Sequence, residues 1–176
     1  ILAFASAARS QRVSAVVATT LCDPSLEKVR AAFVRSAFIY KVLWPLSKWL
    51  PASVKQFRLP IRWFGKMAKI SNQKALSDLV SSDRFGGGRR VPLRFLESIF
   101  KFTLPTPAEN FNACPVLLVH PEEDEWTPLS LSDDFYDRLK VPKHRVVLKN
   151  CGHLPVEEPG IYQMESEVIA FLERCI

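Results

Sequence analysis

The sequence has few of the patterns that mark a metal site, a redox site or a membrane span. Its four cysteines are far apart and form no C-x-x-C pair, which excludes the usual zinc-binding and thioredoxin-like motifs. We therefore expect neither a metal nor an organic cofactor. The opening apolar run, ILAFASAA, is far shorter than the roughly 20 residues of a membrane span, and no basic stretch precedes it as in a signal peptide. Scattered, reduced cysteines predict a cytoplasmic protein.

Acidic residues are missing between Lys28 and Lys69, a stretch that contains ten Lys and Arg residues and eight aromatic residues. Residues 1–110 carry a net charge of +12, whereas residues 111–176 carry −6. A basic and aromatic segment is compatible with nucleic-acid binding, with peripheral contact to a membrane, or with helices that have a solvated basic face. No nucleic-acid-binding motif is present, so we expect no nucleic-acid partner, and membrane contact and the solvated face stay open.

The first half of the chain shows strand and helix patterns. The run RVSAVVATTL is rich in Val, Ala and Thr and predicts a buried strand. Apolar residues spaced by threes and fours predict a helix from Leu26 to Leu50. Three prolines, Pro45, Pro51 and Pro60, are expected to break this part of the chain into short helices.

The last third of the chain alternates between strand and helix patterns. CPVLLVH and HRVVLKN read as strands, and a helical pattern, LSLSDDFYDRLK, separates them. A second helical pattern, IYQMESEVIAFLERC, closes the chain. Strands that alternate with helices at this spacing predict a parallel sheet and an α/β fold.

Two polar residues follow the two predicted strands. Asp124 lies in the loop after Val119, and His153 lies in a Gly-flanked turn after Leu148. Ligands of open parallel sheets bind beyond the carboxyl ends of the strands, so both side chains are expected to face one crevice. A carboxylate that orients an imidazole makes a general base. We expect the two groups to lie within hydrogen-bond reach, about 2.6–3.2 Å.

The segments that carry these two residues resemble the α/β-hydrolase superfamily. PVLLVHPEEDEWTP resembles the family's strand followed by G-x-x-D-x-x-x-P, and CGHLPVEEP resembles its histidine segment, G-H-x-x-x-x-E-x-P. Pro121 stands where many members have Gly. The similarity is greatest to the lipase and esterase branch, which includes serine aminopeptidases and monoacylglycerol lipases. It implies that Asp124 and His153 are catalytic.

The resemblance also implies a division of the chain. Residues 1–24 look like the core helix and strand that follow the family's nucleophile elbow, G-x-S-x-G. Residues 25–110 would be a helical cap, and residues 111–176 the core part with the acid and the histidine. The sequence contains no G-x-S-x-G. We therefore expect a partial α/β-hydrolase fold whose nucleophilic serine lies upstream, and a chain that is inactive alone.

The function implied by the resemblance is the hydrolysis of carboxylic esters with apolar groups, with Trp126, Leu154 and Phe38 in contact with the substrate. Two alternatives stay open. An upstream Asp nucleophile would indicate a dehalogenase, and a truncated hydrolase could act as a binding protein without catalysis. Epoxide hydrolases are disfavoured because they usually have two cap tyrosines, and the cap here has only Tyr40.

Overall fold

The computed structural model describes residues 1–10 and 12–175, with the side chains of Ile39 and Leu43 left out of the description. Eight α-helices lie within this part of the chain: α1 Leu2–Arg9, α2 Glu27–Phe33, α3 Ala37–Ser47, α4 Ala52–Lys55, α5 Lys74–Ser82, α6 Leu93–Phe100, α7 Ser130–Arg138 and α8 Gly160–Glu173. Five strands lie within it: β1 Val16–Ala18, β2 Arg58–Pro60, β3 Arg90–Pro92, β4 Val116–Pro121 and β5 Lys143–Leu148.

The described residues form two compact units. One contains Ile1–Asp23 together with the chain from Leu104 onwards, and we call it the sheet unit. The other contains Pro24–Thr103, and we call it the helical unit. None of the helices in the described part of the chain is long and apolar enough to cross a membrane.

The sheet unit is built on a three-stranded parallel sheet with the order β1-β4-β5. All six residues of the central strand, β4, are buried, as expected for a parallel strand that is covered on both faces. The predicted α/β fold with a parallel sheet is therefore confirmed. The first strand is shorter than its Val-rich sequence indicates, because only Val16–Ala18 pair with β4.

Helices cover both faces of this sheet. Val116 and Leu118 belong to a core cluster with Phe4 of α1 and Phe135 of α7. The alternate residues of β4, Leu117 and Val119, belong to a second cluster with Phe171 of α8. Successive side chains of a strand point to opposite faces, so one apolar strand supplies both cores.

The helical unit consists of short helices and a two-stranded antiparallel ribbon, β2 with β3. The predicted helix from Leu26 to Leu50 is wrong as one element, because the chain leaves helical geometry at Val34 and re-enters it at α3. Pro45 does not break the chain where expected. It lies inside α3, which ends two residues later at Ser47, where few backbone hydrogen bonds of the helix remain to be lost.

Candidate active site

The register of the sheet brings two loops together at its carboxyl edge. The last residue of β4, Pro121, lies opposite the last residue of β5, Leu148. Backbone hydrogen bonds then join the loops, from the Glu122 N–H to the Leu148 carbonyl (2.9 Å) and from the Glu123 N–H to the Cys151 carbonyl (3.0 Å). The loop after β4 carries Asp124, and the loop after β5 carries His153.

Asp124 and His153 are hydrogen-bonded. His153 Nδ1 lies 2.9 Å from Asp124 Oδ2, within the range expected from the sequence. An ionised carboxylate only accepts hydrogen bonds, so Nδ1 carries the hydrogen and Nε2 of the neutral imidazole is the basic nitrogen. The Asp124 side chain is fully buried, whereas the His153 side chain is 30% exposed. The arrangement is an oriented imidazole with its acid held away from water.

Backbone groups of its own loop hold Asp124 in place. Its Oδ1 accepts the N–H of Trp126 (2.9 Å) and the N–H of Thr127 (2.7 Å). An Asp that caps the N–H groups two and three residues later is a common turn device. The carboxylate is therefore held by its own loop through Oδ1, while Oδ2 contacts the histidine.

Thr127 also contacts Asp124 and His153, and sequence reasoning missed it. Its hydroxyl donates to Asp124 Oδ2 (2.9 Å) and lies 3.2 Å from His153 Nδ1. Thr127 is buried, and its Oγ1 is 3.4 Å from Thr20 Oγ1 in the segment after β1. The spacing of three residues from Asp124, within DEWTP, was the available signal.

The environment lowers the pKa of Asp124. Burial alone would raise this pKa, but hydrogen bonds from His153 and Thr127, together with the charge of His153, outweigh the burial. Asp124 is thus an anion at neutral pH and can stabilise a positive charge on the imidazole.

Glu157 holds the histidine loop through hydrogen bonds to its backbone. It is buried, and its Oε2 accepts the N–H groups of Gly152 and Val156, each at 3.3 Å. The two donors flank His153 in the sequence. Glu157 begins an E-x-P sequence that ends at Pro159, with three residues between it and His153 where the family-like motif has four; the sequence alone gave it no role.

The backbone of Gly160 packs directly against Cys151, and this contact joins the same loop to α8. A Cβ on Gly160, the first residue of α8, would overlap with Cys151 Sγ and would lie 2.6 Å from the Lys149 carbonyl oxygen. Gly is required here because the helix begins in direct contact with the turn after β5.

The residues expected to bind the substrate have different settings. The ring of Trp126 lies beside the ring of His153, with centroids 4.9 Å apart. Leu154, next to His153, is 40% exposed. Phe38 is 75% exposed and lies in α3 of the helical unit. Their contacts with a substrate stay predictions.

The other two histidines have no comparable partner geometry. His144 is half exposed, and its Nε2 lies 3.7 Å from Glu167 Oε2. His120 is fully buried within β4, and burial lowers its pKa. Within the described residues, no group of three or more His, Cys, Asp and Glu side chains is arranged to hold a metal ion.

Residues 1–162 match the model of the alpha/beta hydrolase family. The chain belongs to the alpha/beta hydrolase family. A search of curated proteins returned no match. In this chain His153 and Asp124 lie in adjacent loops at the carboxyl edge of the parallel sheet, the edge where open parallel sheets bind ligands.

Proposed function

We propose that this chain is the C-terminal portion of a serine hydrolase of the lipase and esterase type, which cleaves carboxylic esters with apolar groups. The observation that carries the proposal is the 2.9 Å hydrogen bond between His153 Nδ1 and the buried Asp124. The nucleophilic serine would lie outside these 176 residues, because they contain no G-x-S-x-G.

In this mechanism His153 Nε2 removes the proton of the serine hydroxyl as the oxygen attacks the ester carbonyl. The imidazolium that forms is stabilised by ionised Asp124. His153 then returns the proton to the leaving alcohol, which completes the acyl-enzyme. Water activated by the same nitrogen hydrolyses the acyl-enzyme and regenerates the serine.

Trp126, Leu154 and Phe38 are proposed to contact the apolar group of the ester. Two of them are next to His153. The Trp126 ring lies beside the imidazole, and Leu154, which follows His153 in the sequence, is 40% exposed. The helical unit is proposed as the cap. Its high content of exposed aromatic and aliphatic side chains supports this assignment.

The test is ester hydrolysis by the protein from the complete coding sequence, with a short-chain p-nitrophenyl ester as substrate. His153→Ala and Asp124→Asn should each lower kcat by roughly three to four orders of magnitude. The matched control, His144→Ala, should retain wild-type turnover because His144 is half exposed and lies at the start of β5, whereas His153 follows the end of that strand. A fluorophosphonate should label a serine in the wild type.

Two results would contradict the proposal. Turnover by His153→Ala within about twofold of wild type would remove the histidine from the mechanism. An unlabelled protein without esterase activity would instead favour an Asp nucleophile or a protein that binds without catalysis.

A further inference from the structure

The helical unit contains a cavity of about 460 Å³ that no step of the proposed reaction uses. All sixteen residues that line it belong to Pro24–Thr103. It lies between the chain after α2, helices α3 and α6, and the segment from β2 to Phe64. The cavity is therefore a feature of the helical unit by itself.

The floor of the cavity is a small packed core. Val34, Tyr40 and Phe100 are each less than 8% exposed and form one hydrophobic cluster. Tyr40 and Trp44 both contact the Phe100 ring edge-to-face, with centroids 5.5 Å and 5.0 Å apart. Edge-to-face packing is a preferred geometry of aromatic pairs, so these contacts stabilise the orientation of the three rings in this wall.

The remaining walls are apolar and reach the surface. Leu50, Leu59, Leu93 and Leu96 continue the lining, while Leu46 and Trp63 are more than half exposed at its open side. A polar group deep in such a cavity would lose its water without gaining a partner, so the inner part of a ligand must be hydrocarbon. Since a methylene occupies roughly the volume of a water molecule, about 30 Å³, the space holds one alkyl chain of roughly 10–14 carbons.

Cationic side chains also line this cavity. Lys55 Nζ lies 3.1 Å from Glu97 Oε1, and that oxygen also accepts a hydrogen bond from Lys101 at 2.6 Å. Both Lys55 and Glu97 line the cavity, as does the exposed Arg35. The charge of the lining is positive because it contains two cations, Arg35 and Lys55, and one carboxylate, Glu97, which Lys101 also neutralises. The helical unit as a whole has 16 Lys and Arg residues against 4 Asp and Glu, which attracts anions.

We propose that this cavity binds one single-chain carboxylate, a free fatty acid of roughly 10–14 carbons. The alkyl chain lies between the leucines and the edge-to-face aromatic rings, and the carboxylate lies at Arg35 and Lys55. The proposal does not require ester hydrolysis, because neither Asp124 nor His153 lines the cavity.

The test is calorimetric titration of the full chain with dodecanoate below its micelle concentration. We expect saturable binding of one dodecanoate per chain. Leu96→Trp fills the cavity and should weaken binding at least tenfold. Leu79→Trp makes the same change at an exposed position of the same unit and should leave the affinity within twofold.

The charge is tested separately. Arg35→Glu should weaken dodecanoate binding about tenfold, whereas Arg94→Glu, at an exposed position outside the cavity lining, should not. Dodecanol should bind wild type at least tenfold more weakly than dodecanoate. Circular dichroism checks that each variant is folded, and Arg35→Glu provides the test if Leu96→Trp does not fold. Unchanged dodecanoate binding by either cavity variant, or equal binding of dodecanol by wild type, would overturn the proposal.

Discussion

The sheet unit and the helical unit use apolar side chains in different ways. In the sheet unit, the four residues Val116–Val119 are at most 1% exposed. In the helical unit, ten large apolar side chains are exposed, and they make up most of the sixteen such residues in the described chain. A strand covered on both faces buries every side chain, whereas short helices leave part of each apolar face uncovered.

The two units also differ in charge. The helical unit carries +12 and the remainder of the chain −6. In the sheet unit, a buried carboxylate is matched by placed donors, as at Asp124 and Glu157. The sheet unit buries carboxylates and satisfies them with hydrogen-bond donors. The helical unit instead exposes basic and apolar side chains on its surface. The predictions below test this difference.

The largest effect is expected from removing a leucine from each unit. Leu118→Ala, in the fully buried strand β4, should lower the free energy of unfolding by about 2–5 kcal/mol because it leaves a cavity. Leu79→Ala, 65% exposed in the helical unit, should change it by less than about 0.5 kcal/mol. Urea unfolding of the full chain measures both, and equal losses would contradict the contrast between the units.

A smaller loss is expected at the carboxylate under the histidine loop. Glu157→Ala leaves the N–H groups of Gly152 and Val156 without their acceptor, which should cost about 1–3 kcal/mol in unfolding experiments. Glu158→Ala removes the neighbouring exposed carboxylate and serves as the control, with an expected cost below about 0.5 kcal/mol. If the two variants were equally stable, Glu157 would not organise the loop.

The buried acid should also give the sheet unit a pH-dependent stability. The pKa of Asp124 is lowered in the folded state, because its hydrogen bonds to His153 and Thr127 outweigh burial. Its stabilisation is therefore fully present above the ordinary Asp pKa near 3.8 and is lost as the pH falls through the lower folded pKa.

Urea unfolding of wild type and Asp124→Asn between pH 7 and pH 2.5 measures this effect. The stability difference between the two proteins should shrink as the pH falls below about 5. Leu79→Ala removes no ionisable group, so the difference between its free energy of unfolding and that of wild type should not change with pH. A wild-type advantage that persisted at the lowest pH would contradict the assignment.

The smallest effect is expected at the basic surface of the helical unit, which we propose can contact a membrane peripherally. The protein should co-sediment with anionic vesicles at low salt and less at moderate salt, because salt screens the attraction. Lys41→Gln, at an exposed position of α3, should weaken binding about fivefold, since a basic residue near the surface contributes about 1 kcal/mol.

Lys140→Gln, at an exposed position of the sheet unit, is the matched control and should bind as wild type does. Neutral vesicles should not sediment the protein. If anionic vesicles also failed to bind it at low salt, the basic segment would have only a solvated face.

Much of the sheet unit could be predicted from the sequence. The uninterrupted run VLLVH indicated a strand buried on both faces, and strand ends pointed to Asp124 and His153. These predictions rest on local chemistry, because hydrophobic periodicity and turn residues act over a few positions. The helical unit was less predictable. The single helix predicted from Leu26 to Leu50 is two helices in the structure. The spacing of apolar residues continues through Val34, although the backbone there is extended.

What the sequence by itself determined is therefore the parallel α/β core and the two residues at its strand ends. Tertiary structure alone decided that Thr127 bridges the pair, that Glu157 turns inward beneath the histidine loop, and that Lys55 and Glu97 meet beside an apolar cavity. Thr127 and His153 are 26 positions apart in the chain, and Lys55 and Glu97 are 42 positions apart, so no local sequence pattern relates the members of either pair. Their distances depend on how strands and helices pack, and a sequence period cannot encode that packing.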